Sequence, residues 1–214
     1  MKVSTKIILS ALVAGCITMA TTPQANASGG TGSDHGYFWS LYYNGGSASI
    51  SFPGAGTYPG NFQLSYSGCQ EVIGGKGWST GSYQTIGYNV GYASGYNNIS
   101  VYGWTTSPLV EYYICEFGSV ANGSYVGSVS SDGHTYSVYH HQQVNQPSIQ
   151  GTATFWQNLD NWGGSSTGSN HSVTTGNHFN YWNSHGMNLG SFNYQILAEE
   201  AWQGQSGGCN ATVW

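Results

Sequence analysis

The chain has 214 residues, of which 3 are Lys or Arg and 8 are Asp or Glu, so charged side chains make up 5% against a usual value of about 25%. There is no Arg, and the lysines are Lys2, Lys6 and Lys76. No basic patch is therefore available to neutralise a phosphate backbone, which excludes nucleic acid as a partner and disfavours anionic membrane surfaces. The 33 Gly, 17 Tyr, 8 Trp and 7 Phe, with abundant Ser, Thr, Asn and Gln, predict one all-β sandwich or barrel. Aromatic faces that cover C–H surface, beside amides that bond hydroxyls, suit a neutral, hydroxyl-covered ligand such as a carbohydrate.

Residues 1–27 read as a secretory signal and are set aside before fold reasoning. Lys2 and Lys6 open it, Ile7 to Gly15 is an apolar run too short to span a bilayer, and Ala25-Asn26-Ala27 supplies small residues for cleavage. Val13 to Cys16 also matches the box before a lipid-modified cysteine, but the Ala-x-Ala site lies at the usual distance for cleavage. The remaining chain carries Lys76 against eight acids, a formal charge of −7 with His neutral. Residues 28–34 form a short Gly-Ser-Thr leader, expected to be flexible, ahead of a single domain over 35–214.

Strand candidates then follow at intervals of roughly 8 to 12 residues. They are Tyr37–Tyr43, Ser47–Phe52, Asn61–Tyr66, Glu71–Trp78, Gln84–Tyr92, Asn98–Trp104, Val110–Phe117, Tyr125–Val129, His134–Gln143, Ser148–Leu159, Ser172–Thr174, Gly190–Gln203 and Ala211–Trp214. One helix is predicted within Thr175–Gly186, where Phe179 and Trp182 are three apart and Gly186 sits at a capping position. Three cysteines remain after cleavage, which implies one bridge and a free thiol, or no bridge. Cys69 with Cys209 is the favoured pair, because both lie in Gly-rich, turn-like stretches while Cys115 lies in an apolar strand. No cysteine knuckle or His pair with a helical acid suggests a metal. Asn98-Ile99-Ser100, Asn122-Gly123-Ser124, Asn170-His171-Ser172 and Asn210-Ala211-Thr212 are glycosylation sequons if the host is eukaryotic.

With eight acids, carboxylate chemistry can be enumerated. Glycosidic hydrolysis needs one carboxyl group to protonate the leaving oxygen and a second to attack or to activate water. A period of two places Glu111 on one face with Leu109, Tyr113 and Cys115, and Glu200 on one face with Tyr194, Ile196, Ala198 and Trp202. Glu199 points the other way. Carboxylates set among rings with no cation nearby are poor structure and good candidates for catalysis.

The run Ser100 to Ile114 resembles the nucleophile segment of glycoside hydrolase family 11 endo-1,4-β-xylanases. Gly74-Gly75-Lys76-Gly77-Trp78, Val144 to Ile149, Gly151 to Phe155, Ser184 to Gly190 and Ala198-Glu199-Glu200 are further matches, in order over nearly the whole chain after residue 27. The resemblance implies a jelly-roll sandwich of two twisted antiparallel sheets, with one α-helix on the convex side and a cleft for xylan and xylo-oligosaccharides. It also implies a secreted monomer that needs no cofactor or metal and does not bind a membrane once its signal is removed. Glu111 would be the nucleophile and Glu200 the acid/base of a retaining mechanism. Tyr102 and Tyr113 would bond the nucleophile and the sugar, Gln157 would contact sugar, and Pro147, Ser148 and Ile149 would form the tip of a thumb loop. Tyr42 and Trp202 stand at stacking positions where the family often has Trp and Tyr. Gln143 stands where the family has an Arg. Glu71 stands where it has Asn or Asp beside the acid/base; a carboxyl sharing the proton of Glu200 would give an acidic optimum that moves up in Glu71→Asn. A carbohydrate-binding jelly roll without activity and a similarly folded cellulase are the alternatives. Both catalytic glutamates argue against the first, and the Pro147-Ser148-Ile149 thumb against the second.

Overall fold

The computed structural model describes residues 28–214, so the expected signal sequence lies outside the described residues. Within them, twelve strands and one helix follow in chain order: β1 Ser28–Asp34, β2 Tyr37–Asn44, β3 Ser47–Ser51, β4 Asn61–Trp78, β5 Thr85–Ser94, β6 Asn98–Thr106, β7 Val110–Gly118, β8 Ser124–Ser131, β9 His134–Gln146, β10 Ala153–Asn161, β11 Asn170–Thr174, α1 Thr175–Ser184 and β12 Ser191–Val213. The front layer runs β1-β2-β4-β12-β6-β7-β10-β9-β8, while β3, β5 and β11 belong to the layer built on the distal halves of β4 and β12. The pairings of these strands are antiparallel except β7 with β10, which is parallel.

The sequence suggests two strands each where β4 and β12 are continuous. β4 pairs with β3 through Gln63 to Ser67 and with β2 through Glu71 to Gly77. β12 pairs with β6 up to Glu200 and with β5 from Gly208 onward. Both strands thus pass from one layer to the other. The bend falls where β12 slips register between Trp202 and Gly207, with Gln203 and Gly204 at φ 67° and 77° and Gly68 of β4 at 64°. Left-handed φ is cheap for glycine, so Gly and Ser mark a fold-over here, not an end.

The apolar residues of the two layers meet in a core that includes Phe62, Val72, Ile86, Tyr88, Ile99, Tyr112, Ile114, Leu197 and Val213. Each such side chain contributes about 1.5–3 kcal/mol by burial. α1 buries Thr175, His178, Phe179 and Trp182, the i, i+3, i+4, i+7 stripe of a helix against a sheet. Phe179 meets the Tyr112 ring edge-on at 5.3 Å, and Trp182 Nε1 donates to Asp160 Oδ1 at 2.8 Å. The helix therefore covers the side of the front layer away from the cleft. Gly186, at φ 75°, turns the chain out of it.

Residues 28–34 are not a leader outside the fold. They form β1, paired along its length with β2 from Ser28 opposite Tyr43 to Asp34 opposite Tyr37. Asp34 Oδ2 accepts from buried Lys76 Nζ at 2.6 Å, and that ammonium also donates to the carbonyls of Pro59 and Asn61 at 2.7 and 3.2 Å. A buried cation needs a counter-charge, and the segment supplies it. The favoured disulfide is absent: Cys69, Cys115 and Cys209 are buried free thiols. Cys209 stands opposite Leu64, five residues from Cys69 along β4, on the order of 15 Å at strand rise and far beyond bridging distance.

Candidate active site

The exposed face of the front layer is concave and lined by a second aromatic cluster, which includes Tyr102, Trp104, Tyr113, Phe155 and Tyr194. Strand alternation brings these rings to one face, as the sequence indicates for β7 and β12. Two adjoining hollows, of about 520 and 660 Å³, make up the cleft. Glu71, Glu111, Tyr113, Pro147 and Glu200 border both. Tyr42, Tyr102, Ser148, Ile149 and the segment Ser28 to Thr31 border the larger, and Gln157, Trp202 and Ser119 to Asn122 border the smaller. Every site residue expected from the sequence therefore lies on the cleft. Trp104 joins them in the larger hollow.

Glu111 on β7 is buried and well supplied with donors. Tyr102 Oη donates to its Oε1 at 2.8 Å and Gln157 Nε2 to its Oε2 at 2.7 Å. Gln157 lies directly opposite Glu111 in the parallel pair, and its own carbonyl accepts from Gln143 Nε2 at 3.3 Å. Gln143 thus reaches Gln157, from the neighbouring strand and without charge. Behind Tyr102, Trp104 Nε1 donates to the tyrosine oxygen at 2.6 Å. An indole N–H can only donate, so the Tyr102 proton is left to face Glu111.

Glu200 on β12 is also buried. Its Oε2 accepts from Asn98 Nδ2 at 2.6 Å, and its Oε1 is 3.2 Å from Tyr113 Oη. The same hydroxyl is 3.3 Å from Glu111 Oε1, so these two carboxyl oxygens lie within about 6.5 Å of each other, the sum of those lengths. Tyr113 has one proton. It can donate to an ionised Glu111 and accept from a protonated Glu200, which is a complete arrangement for one proton on the pair.

Burial is the first cause that raises both acids, Glu111 to about 7 and Glu200 to about 8. For Glu111 the donors Gln157 and Tyr102 pull back against it, and for Glu200 the donor Asn98 does; the charge of Glu71 adds to both, and that of Glu111 adds to Glu200. Glu111 is therefore the first of the two to ionise. Glu71 stands opposite Trp202 and Asn44 in its strand pairings, and burial raises its pKa. The bonds that reach Glu200 come from Asn98 and Tyr113, and the charge of Glu71 acts on it as well.

Glu199 faces the core between the layers, as alternation requires. Both its carboxyl oxygens are buried without a hydrogen-bond partner, beside Tyr66 and Cys209, and burial raises its pKa to about 7. A folded-state value above the ordinary 4.5 means that stability is lost as pH climbs from about 4.5 to about 7. Glu199→Gln is expected to leave kcat/KM nearly unchanged and to raise Tm at pH 8 but not at pH 4. The gain is at most about 3 kcal/mol. Thermal melts at the two pH values check it.

Sequence reasoning missed Asn98, seen only as the first residue of a sequon, and Trp104. The period of two on β6 is a usable signal for both, since Asn98, Ser100, Tyr102 and Trp104 share one face. Among the described residues no group of three or more His, Cys, Asp or Glu could hold a metal, and no helix is long and apolar enough to cross a membrane.

A groove floored with aromatic rings and holding two facing carboxyls defines a glycoside hydrolase. The signature of glycosyl hydrolases family 11 matches residues 34–212. An ethylene-inducing xylanase of Penicillium digitatum is 48% identical over 188 residues, 85% of this chain and 84% of its own. Endo-1,4-beta-xylanase 2 of Rhizopus oryzae is 46% identical over 198 residues, 89% of this chain and 88% of its own. A solved structure from a comparison of two major endo-1,4-beta-xylanases of Trichoderma reesei superposes with a TM-score of 0.71 at 38% identity, covering 87% of this chain and 99% of that one. The chain belongs to glycosyl hydrolase family 11.

Proposed function

We infer that the protein is a secreted endo-1,4-β-xylanase that works with retention on xylan and xylo-oligosaccharides. Residues 1–27 direct export, and the remainder is one monomeric catalytic domain. The observation that carries the mechanism is the Tyr113 hydroxyl in contact with both Glu111 and Glu200. A carboxyl spacing of about 5–5.5 Å belongs to retaining enzymes, and about 6.5–9.5 Å to inverting ones that fit a water between. The limit set by Tyr113, for the two facing oxygens, is compatible with the shorter class. Glu111 attacks the anomeric carbon while Glu200 protonates the leaving oxygen; Glu200 then takes a proton from the water that hydrolyses the xylosyl-enzyme. Tyr42 and Trp202 stack on sugars at the two ends of the cleft, Pro147 to Ile149 close over it, and Tyr102, Tyr113 and Gln157 hold Glu111 in place.

Reducing-sugar release from purified xylan and from carboxymethylcellulose tests this reading. Release from xylan with the β-anomer formed first, followed by NMR, is expected. Activity on neither polymer would overturn the enzymatic reading, and preference for cellulose would move the protein to the cellulase alternative. The charge of Glu71 sets a further expectation. It raises both Glu111 and Glu200 through space, so Glu71→Asn should lower both limbs of the kcat/KM profile, by on the order of one pH unit. An upward shift would mean that Glu71 shares the acid's proton after all.

A further inference from the structure

We propose that Asn98 is a positioning residue for the acid/base, fixing which oxygen of Glu200 carries the catalytic proton. The proposal rests on Glu200 being that acid/base. In the family pattern the amide or carboxyl beside the acid comes from the position of Glu71. Here the amide that bonds the acid comes from a different strand. Asn98 begins β6, directly opposite Glu200 in the β6/β12 pair, and is fully buried. Its Nδ2 donates to Glu200 Oε2 at 2.6 Å, and its Oδ1 accepts from Ser100 Oγ at 2.7 Å.

An amide N–H₂ is a donor only. With Nδ2 turned to Glu200, Oε2 is an acceptor in both protonation states, and the proton is confined to Oε1, the oxygen that faces Tyr113, Glu111 and the cleft. The reversed amide would set Oδ1 against Oε2 and leave the ionised acid, which exists in every turnover, without that donor. In the productive orientation the amide's other end is occupied as well, since Ser100 Oγ donates to Asn98 Oδ1. The neighbouring Asn97 fixes the strand as well, because Asn97 N donates to Glu200 O at 2.9 Å and Asn97 Oδ1 accepts from Trp202 N at 2.9 Å. The end of β6 thus pins the acid's backbone and one of its two oxygens, and leaves the other to do chemistry. Engagement of the Asn98 side chain also removes the first sequon as a modification site.

Two substitutions of nearly the same volume should move the pH profile in opposite directions. Asn98→Leu keeps the burial and removes the donor to the ionised acid, so the pKa of Glu200 rises and the basic limb of kcat/KM moves up by roughly one unit. Asn98→Asp puts an acceptor against Oε2. The acid's proton is then drawn to that side, and Oε1 is protonated only when the introduced carboxyl also holds a proton, so activity moves to lower pH. A purely structural role would lower kcat in both without this split. Carboxyl titration of Glu200 by NMR in wild type and Asn98→Leu reads the contact with no need for turnover, so it separates failure of this proposal from failure of the xylanase reading. An unshifted Glu200 in folded Asn98→Leu, or pH profiles that move together in the two variants, would overturn the proposal.

Discussion

Glu111→Gln is expected to lower kcat on xylan by roughly four orders of magnitude or more while affinity for xylo-oligosaccharides changes little. The variant removes a charge and the proposed nucleophile and keeps the shape. The amide oxygen can still accept from Tyr102, which donates to Glu111 Oε1 in the wild type. Its nitrogen would face Gln157 Nε2, donor against donor, so Gln157 must turn over and give up its bond from Gln143. That rearrangement is local and leaves the aromatic floor in place. The loss of charge should also let Glu200 ionise more readily, since Glu111 is among the causes that raise its pKa. Kinetics, calorimetric titration with a xylo-oligosaccharide and an NMR titration of Glu200 check the three parts. Activity close to wild type would remove Glu111 from the mechanism.

Glu200→Gln should be almost as damaging on xylan, roughly a thousandfold, but the loss should depend on the leaving group. The amide is a close copy of the protonated acid: its oxygen can accept from Asn98, and its N–H₂ can meet the Tyr113 oxygen. It cannot, however, give up a proton. With an aryl xylobioside whose phenolate leaves unaided, glycosylation of Glu111 should persist. Deglycosylation then lacks its base, so the xylosyl-enzyme should accumulate and show as a burst of phenolate. A small anion such as azide, which needs no base, should restore turnover. Equal losses on good and poor leaving groups would take the acid role away from Glu200.

What the sequence shows and what it hides follow from the range of the interactions. Alternation within a strand is local, so Glu111 and Glu200 can be set on aromatic faces, and Glu199 turned away, without knowledge of any partner strand. The contact between Asn98 and Glu200 spans 102 positions and depends on the β6/β12 register, while a bulge opposite Ile99 and Ser100 shifts β6 against β7. No period in the sequence carries that. The resemblance puts Glu71 beside the acid, and its register agrees, setting it opposite Trp202, two residues from Glu200 on the same face of β12. β1 has no apolar alternation, because backbone pairing and the Asp34 to Lys76 ion pair hold it instead of side-chain burial. The Gly and Ser residues near the bends of β4 and β12 have the same composition as turns, which is why the sequence suggests four strands in place of two long ones.

Those two strands have a consequence for how the enzyme fails. Glu71 and Glu200 both sit just at the fold-over, on chains whose other halves belong to the back layer. Neither layer can melt alone without pulling β4 and β12 out of the other, so the molecule has no natural line of separation along which a partly unfolded yet active form could survive. Heat inactivation should therefore be all-or-none, with catalytic activity, the near-ultraviolet signal of the buried rings and the far-ultraviolet signal of the strands lost at one midpoint.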